Sequence, residues 1–241
     1  MIRNLKNQIH RIKIFNVKNR RHKMKHIKVF EQYVNEALIT SIIDRLAKED
    51  STEINYMGDY VNHFIKLGAS KIGGGYSADV LQQGSQIIKI FAPINDPGMT
   101  RYLSFCLQNQ RNPFTPKIEK ILRSWAVEED RWIYAVFMEK LEKSSPSFTR
   151  DLNAVFLYDD KFEMGFQFGK SKKEDDKFFI QFKDVLMKYS KKGSEKDLSD
   201  IIAFLRGAMR KYKYGVDFGP HNWMMRGNQL VLIDPFWPDM E

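Results

Sequence analysis

The stretch GVDFGPHNWMMRGNQLVLIDPFW, residues 215–237, decides how the rest of the chain is read. Gly and Pro at close spacing in its first half predict a loop, on which Asp217 and Asn222 stand five apart. Gly227-Asn228 predicts a tight turn between two short strands. The second strand is the apolar run 230–233, and Asp234 stands at its end. Magnesium takes hard oxygen ligands, commonly one or two carboxylates completed by phosphate oxygens. Asn222 and Asp234 are such a set, and Asp217 lies close enough to take a proton from a hydroxyl nucleophile.

An Asp and an Asn five apart are common by chance, so the weight comes from what precedes them. In IGGGYSADV, residues 72–80, Gly73, Gly75 and Ala78 hold the small positions of a glycine-rich loop. Small residues there let backbone approach phosphate oxygens and adopt positive φ. The loop joins two strands instead of opening a helix, which argues against a dinucleotide fold; alone it equally reads as a plain glycine hairpin. Lys89 follows one strand later inside the apolar QIIKIF. By itself such a lysine reads as solvated at a sheet edge. Beneath a glycine turn, its ammonium can reach phosphate oxygens.

The intervening texture predicts an antiparallel sheet of about five strands with one helix on it. A turn at residues 83–85 separates two strands, and Asp96 with Pro97 predicts the start of a helix over 97–110. A hairpin with Glu129-Asp130 near its turn leads into the buried strand WIYAVFM. Apolar spacing predicts helices in 31–50, in 54–68, over 178–190 and over 196–213. Residues 142–180 have no clear pattern.

Composition narrows the class. Hydrophobic residues make up 43%, enough for a sizeable core, and no apolar run is long enough to span a membrane. The single cysteine, Cys106, lies in an apolar context that predicts a buried, inert thiol and suits a reducing cytosol. The five histidines make no zinc-ligand spacing with it. Ten of the 39 basic residues and no acid fall in residues 1–30, which leaves 29 basic against 30 acidic residues, a net of −1. The formal +9 therefore belongs to an N-terminal arm. The arm has no apolar core of a secretory signal, and its charge suits an accessory contact with nucleic acid or another acidic surface.

In this order (glycine loop, strand lysine, helix, the connector FMEKL at 137–141, the Asp217–Asn222 loop, Asp234-Pro235), the chain resembles the protein-kinase-like fold. Within it the sequence looks most similar to the short serine/threonine protein kinases that short-tailed phages make early in infection. The resemblance spans roughly residues 67–241. It implies an α+β, two-lobed fold: a basic arm (1–30), a helical extension (31–66), an N-lobe (67–141) and a much reduced helical C-lobe (142–241). It implies ATP and Mg2+ as cofactors and host proteins as substrates, in the cytoplasm of the host cell. Gly73, Gly74, Gly75, Tyr76, Ser77, Ala78, Val80, Lys89, Glu139 and Leu141 would bind ATP, Asn222 and Asp234 the metal, and Asp217 with Lys89 would be catalytic.

The chain departs from the pattern in places. Gly215-Val216 replaces the usual His-Arg, Gly219 stands where a lysine would contact the transferring phosphate, and only seven residues follow Asp234. The resemblance therefore implies a phosphotransfer core without an ordinary activation segment. The helix glutamate that would pair with Lys89 is expected nineteen residues on, at Gln108. A small-molecule kinase of the aminoglycoside type and a pseudokinase acting as a binding module are the alternatives.

Overall fold

The computed structural model describes residues 43–74, 77–157, 172–212 and 216–236. The basic arm, the part of the helix expected over 31–50 that precedes residue 43, and Gly75 and Tyr76 lie outside the described residues; the described part is helical only to residue 46, and Lys48–Glu49 form a strand instead. The architecture is α+β, with a six-stranded sheet, a three-stranded sheet and helices packed against them.

The large sheet is built from β1 (Lys48–Glu49), β2 (Ser70–Gly74), β3 (Ala78–Gln83), β4 (Gln86–Phe91), β5 (Ile118–Ala126) and β6 (Arg131–Glu139), in the order β1-β5-β6-β4-β3-β2. Four of its pairings are antiparallel, but β1 runs parallel to β5, with Lys48 opposite Leu122 and Glu49 opposite Arg123. The sheet is thus mixed and six-stranded where five antiparallel strands were expected. Gly84 at φ +58° makes the β3–β4 turn, and Asp130 at φ +49° the β5–β6 turn, where the sequence placed them.

At the centre of this sheet both faces are buried, and the two-residue period of β6 shows it. Ile133, Ala135 and Phe137 join one core with Tyr60, Val61 and Phe64 of helix α1 (Met57–Lys66). Tyr134, Val136 and Met138 join the other, with helix α2 (Pro97–Gln108). The apolar positions 60, 61 and 64 fall on one helical face, and Phe64 meets Phe137 edge-on, ring centroids 5.5 Å apart. The segment 43–66, read from sequence as an extension outside the lobe, therefore supplies an edge strand and the cover of one face. Arg123 of β5 ties it down through Asp44 and Glu49.

The chain leaves β6 at Glu139 and enters β7 (Glu142–Lys143) two residues later. Strand β7 pairs with β8 (Trp223–Arg226), and β8 with β9 (Gln229–Leu232) across the Gly227-Asn228 turn. Helices α3 (Pro146–Leu157), α4 (Lys172–Lys188) and α5 (Glu195–Tyr212) complete this part. In α5, Leu198, Ile201, Ile202 and Leu205 are buried, as their spacing predicted. One hydrophobic cluster runs from Phe91 and Val136 through Met99 and Leu103 to Phe148, Phe182, Leu205, Trp223 and Leu232. Cys106 sits inside it, 1% exposed, and burial raises its thiol pKa well above the ordinary value, so it is inert as expected. No helix among the described residues is long and apolar enough to cross a membrane.

Candidate functional site

Lys89 reaches the interior because of the pleat. Ile88 and Ile90 of β4 point into the core under α1, so Lys89 and Phe91 point to the α2 side. There the ammonium, on a residue 7% exposed, lies 2.7 Å from Asp234 Oδ2 and 3.4 Å from Met99 Sδ. A buried ammonium demands a partner of opposite charge, and the chain supplies it from 145 residues away.

Asp234 arrives at the end of β9, whose Leu230, Val231 and Leu232 are fully buried. The Tyr102 hydroxyl of α2 donates to the Leu232 carbonyl at 2.5 Å and pins the strand end to the helix. The residues after Asp234 then pair with those before Asp217: Val216 and Phe236 form an antiparallel bridge, and the Asp217 N–H donates to the Pro235 carbonyl at 2.8 Å.

The loop from Asp217 folds on itself. Oδ1 of Asp217 accepts the Gly219 N–H at 2.8 Å, an Asx-type turn, and Oδ2 lies 2.9 Å from His221 Nε2. A 3-10 turn, Pro220–Asn222, brings Asn222 inward to 6% exposure. Its Nδ2 donates to the Asp217 carbonyl at 3.1 Å, and its own carbonyl accepts the Ile233 N–H at 2.9 Å. Lys89 thus contacts Asp234 directly, and the Asp217–Asn222 loop is seated beside Asp234 through the residues on either side of it, Pro235 accepting from Asp217 and Ile233 donating to Asn222. The amide of Asn222, its Nδ2 spent, has Oδ1 left as an acceptor; Asp234, its side chain 41% exposed, is open to solvent.

Gly219 has a local reason. A Cβ there would stand 2.6 Å from His221 Cε1 and 2.8 Å from Asp217 Oδ1. No lysine fits at this position while Asp217 and His221 hold their contact. His221 is the residue of this loop that sequence reading passed over; its spacing of four from Asp217 was the available signal.

The glycine segment differs from the expected loop. Gly73 and Gly74 belong to β2, opposite Val80 and Asp79, across a register shift between Lys71 and Gly73. Neither has positive φ. At Gly74 a Cβ would stand 2.6 Å from Asp79 Oδ1, so a side chain there would displace the carboxylate that pairs with Lys71 at 2.5 Å. Ala78 and Val80 lie in β3, Val80 directly opposite Lys89. Ser77, at the end of the turn, donates from Oγ to Asp96 Oδ2 at 3.0 Å.

Glu139 has its carboxylate engaged elsewhere. Arg226 of β8 holds it in a two-point ion pair, Nε to Oε2 at 2.7 Å and Nη2 to Oε1, and also donates to the carbonyls of Pro113 and Thr115. The Glu139 N–H donates to the Lys117 carbonyl at 3.2 Å. Leu141 is buried between β6 and β7.

Gln108 does not meet Lys89. Its Nε2 donates to Ser104 Oγ one turn earlier, at 3.1 Å. The first turn of α2 faces the ammonium instead, through Met99, because Asp96 and Pro97 start the helix beside the site. Asp96 caps α2, Oδ1 accepting the Met99 N–H at 2.8 Å, as its place before Pro97 predicted.

Among the described residues no group of three or more His, Cys, Asp or Glu side chains is assembled as a metal cage. An open groove lined by Ser144, Pro146, Thr149, Arg150, Asn153 and Ala154 contains none of the site residues. No protein-family model and no curated protein matches the chain.

Proposed function

We propose that this chain is an ATP- and magnesium-dependent phosphotransferase that acts on serine and threonine hydroxyls of proteins. The observation that supports the reading is the ion pair of Lys89 with Asp234, 145 residues away, beside a loop that carries Asp217 and Asn222 and is hydrogen-bonded to the residues flanking Asp234. A carboxylate open to solvent and an amide oxygen are hard oxygen donors of the kind magnesium takes beside phosphate, an ammonium can pair with the phosphates, and a second carboxylate can accept a proton. Magnesium would be held by Asn222 Oδ1 and Asp234, with phosphate oxygens completing its shell, and would neutralise charge on the phosphates.

Lys89 would bind the α- and β-phosphates, with the turn at Ser77 above them. Asp217 would hold the acceptor hydroxyl and take its proton as the oxygen attacks the γ-phosphorus and the bond to the bridging oxygen of ADP breaks. The Asx-type turn fixes Oδ1 of Asp217, so Oδ2 is the oxygen that receives the proton, and His221 must share or yield it. The basic arm would recruit an acidic protein or a nucleic-acid-bound assembly.

The test is transfer of label from γ-labelled ATP with magnesium to casein or a cell lysate. Wild type should label protein on Ser or Thr. Asp217→Ala should keep nucleotide binding and lose about 10²–10⁴ in rate, and Asp234→Ala should lose transfer and magnesium-dependent binding. Full activity of Asp234→Ala overturns the assignment. Label on small hydroxyl compounds instead of protein points to a small-molecule kinase, and nucleotide binding without any transfer to a binding module.

A further inference from the structure

The carboxylate of Asp217 is covered by a side chain that can leave. Its Oδ1 is fixed by the Gly219 N–H at 2.8 Å. Its backbone is held at both ends, the N–H donating to the Pro235 carbonyl and the carbonyl accepting from Asn222 Nδ2. Oδ2 has one hydrogen-bond partner among the described residues, His221 Nε2 at 2.9 Å. An ionised carboxylate only accepts, so Nε2 carries the proton of this bond, and a neutral ring is enough to make it. The two side chains differ in exposure, 13% for Asp217 and 67% for His221. The ring is seated against Gly219, where an added Cβ would stand 2.6 Å from its Cε1 and 2.8 Å from its Nδ1. An exposed ring on a glycine seat thus lies over a carboxylate that is itself held fast.

The proposed reaction needs Oδ2 for another donor. The attacking oxygen bonds to the γ-phosphorus, the bond to the bridging oxygen of ADP breaks, and the hydroxyl proton passes to Oδ2. With the ring in place the Asp217 side chain is only 13% exposed, so an incoming hydroxyl or water finds little of Oδ2 uncovered. We propose that His221 selects the acceptor hydroxyl over water: it occupies Oδ2 until a bound acceptor side chain takes its place. The inference rests on reading Asp217 as the proton acceptor. A protein acceptor brings binding contacts that offset the displaced hydrogen bond, whereas water brings none. Exposed side chains change rotamer in picoseconds to nanoseconds, so the ring does not slow an acceptor already bound. Gly219 fits the same role, because a side chain there would push the ring away from Oδ2. His221 takes no proton in this scheme; it acts through Asp217.

Two measurements on the full chain test this. In the first, magnesium and γ-labelled ATP are supplied with and without casein, and phosphate release is compared with protein labelling. Without acceptor, His221→Ala should release phosphate about tenfold faster than wild type, the effect of one hydrogen bond to a charged group. Its KM for casein should fall. His221→Gln, which retains an N–H donor, should restore the wild-type ratio of transfer to hydrolysis. Thermal melts of both variants should match wild type, since the ring is 67% exposed. An unchanged ratio in His221→Ala, or a fall in both rates that His221→Gln repairs, overturns the proposal; the second result would make His221 a support for Asp217. The second measurement needs no turnover. Tryptic peptide 214–226 carries Asp217 as its single carboxylate side chain, so its coupling to glycine ethyl ester by a water-soluble carbodiimide reports how open Asp217 is. His221→Ala should react several-fold faster than wild type, and His221→Gln should not. Equal rates in all three overturn the proposal. Wild type that neither transfers nor hydrolyses defeats the phosphotransfer reading, and the carbodiimide rates alone then decide whether His221 covers Asp217.

Discussion

Lys89 Nζ and Asp234 Oδ2 are 2.7 Å apart, and the two side chains stand in unlike surroundings: the lysine is 8% exposed and the aspartate 41%. Removing one partner is therefore not equivalent to removing the other. Lys89→Met leaves a carboxylate that water can solvate and puts an apolar chain in an apolar place, so the fold should survive with little change in Tm. Nucleotide affinity should fall, because a hydrogen bond to a charged group is worth about 1.5–3 kcal/mol, roughly ten- to a hundredfold. Calorimetric titration and thermal melts of the same variant check both halves. A large loss of Tm with intact binding would make Lys89 a structural ion.

Gly219→Ala tests whether the Asp217 loop is built for catalysis. The added Cβ would stand 2.6 Å from His221 Cε1 and 2.8 Å from Asp217 Oδ1. The His221 side chain is 67% exposed and can swing away; Asp217, held through Oδ1 and its own N–H, cannot. The rate of phosphotransfer should fall more than stability, and His221→Ala in the same chain should relieve only the ring contact. Complete recovery in that double variant would show that Asp217 is not displaced.

Much of this site follows from local pattern. Its place one strand after the glycine turn marked Lys89, and the loop residues with the apolar run before Asp234 marked the other three. What failed was every inference that needed an element's orientation. Counting nineteen residues from Lys89 to Gln108 assumed that the last turn of α2 faces the lysine, whereas the helix begins beside the site and Met99 in its first turn does. The apolar face of α1 predicted a helix but not the sheet face it covers. Strand β1 is two charged residues, Lys48 and Glu49, with no alternation to read; its pairing is set by the rest of the sheet. Gly73 and Gly74 looked like loop because glycine is rare inside strands; a register shift and the Lys71–Asp79 pair account for them there.

Gln108→Ala should behave as wild type in nucleotide affinity. The amide bonds Ser104 on its own helix, so its loss should cost within about 0.5 kcal/mol, as for a substitution away from any buried network. A raised KM for ATP in this variant would mean that α2 shifts to bring its last turn to Lys89 when nucleotide binds.

Asp151 links α3 to the end of α4 and gives the fold an acid-sensitive contact. Hydrogen bonds from Lys188 and Tyr189 hold its carboxyl at about 2, below the ordinary 3.8. A carboxyl with a lowered folded-state pKa stabilises the protein above its unfolded value, and that contribution is lost as pH falls through the folded value. The Tm difference between wild type and Asp151→Asn should therefore be constant above about pH 5 and close between pH 4 and 2. A difference that persists at pH 2 would assign the contact to shape instead of charge.

Gly98→Ala sets helix propensity against the position of Asp234. Alanine in a helix is favoured over glycine by about 0.5–1 kcal/mol, and Gly98 lies in the first turn of α2 with no positive φ to explain it. Its reason is Phe236: a Cβ at 98 would stand 2.8 Å from Phe236 Cβ and 3.2 Å from Cγ. Because the nearest atom is bonded to the backbone, ring rotation gives no relief, and the segment must move. That segment is the one that bridges Val216 and accepts the Asp217 N–H at Pro235, one residue beyond Asp234. Overpacking of this kind costs about 1–3 kcal/mol, so Gly98→Ala should lower Tm despite its helix preference. Well below that Tm, magnesium-dependent nucleotide binding should weaken as well, since Asp234 and Asp217 shift together. Phe236→Ala, which keeps the Cβ, should not restore binding in the double variant. Restoration would place the collision in the ring alone and separate α2 from the geometry of the site.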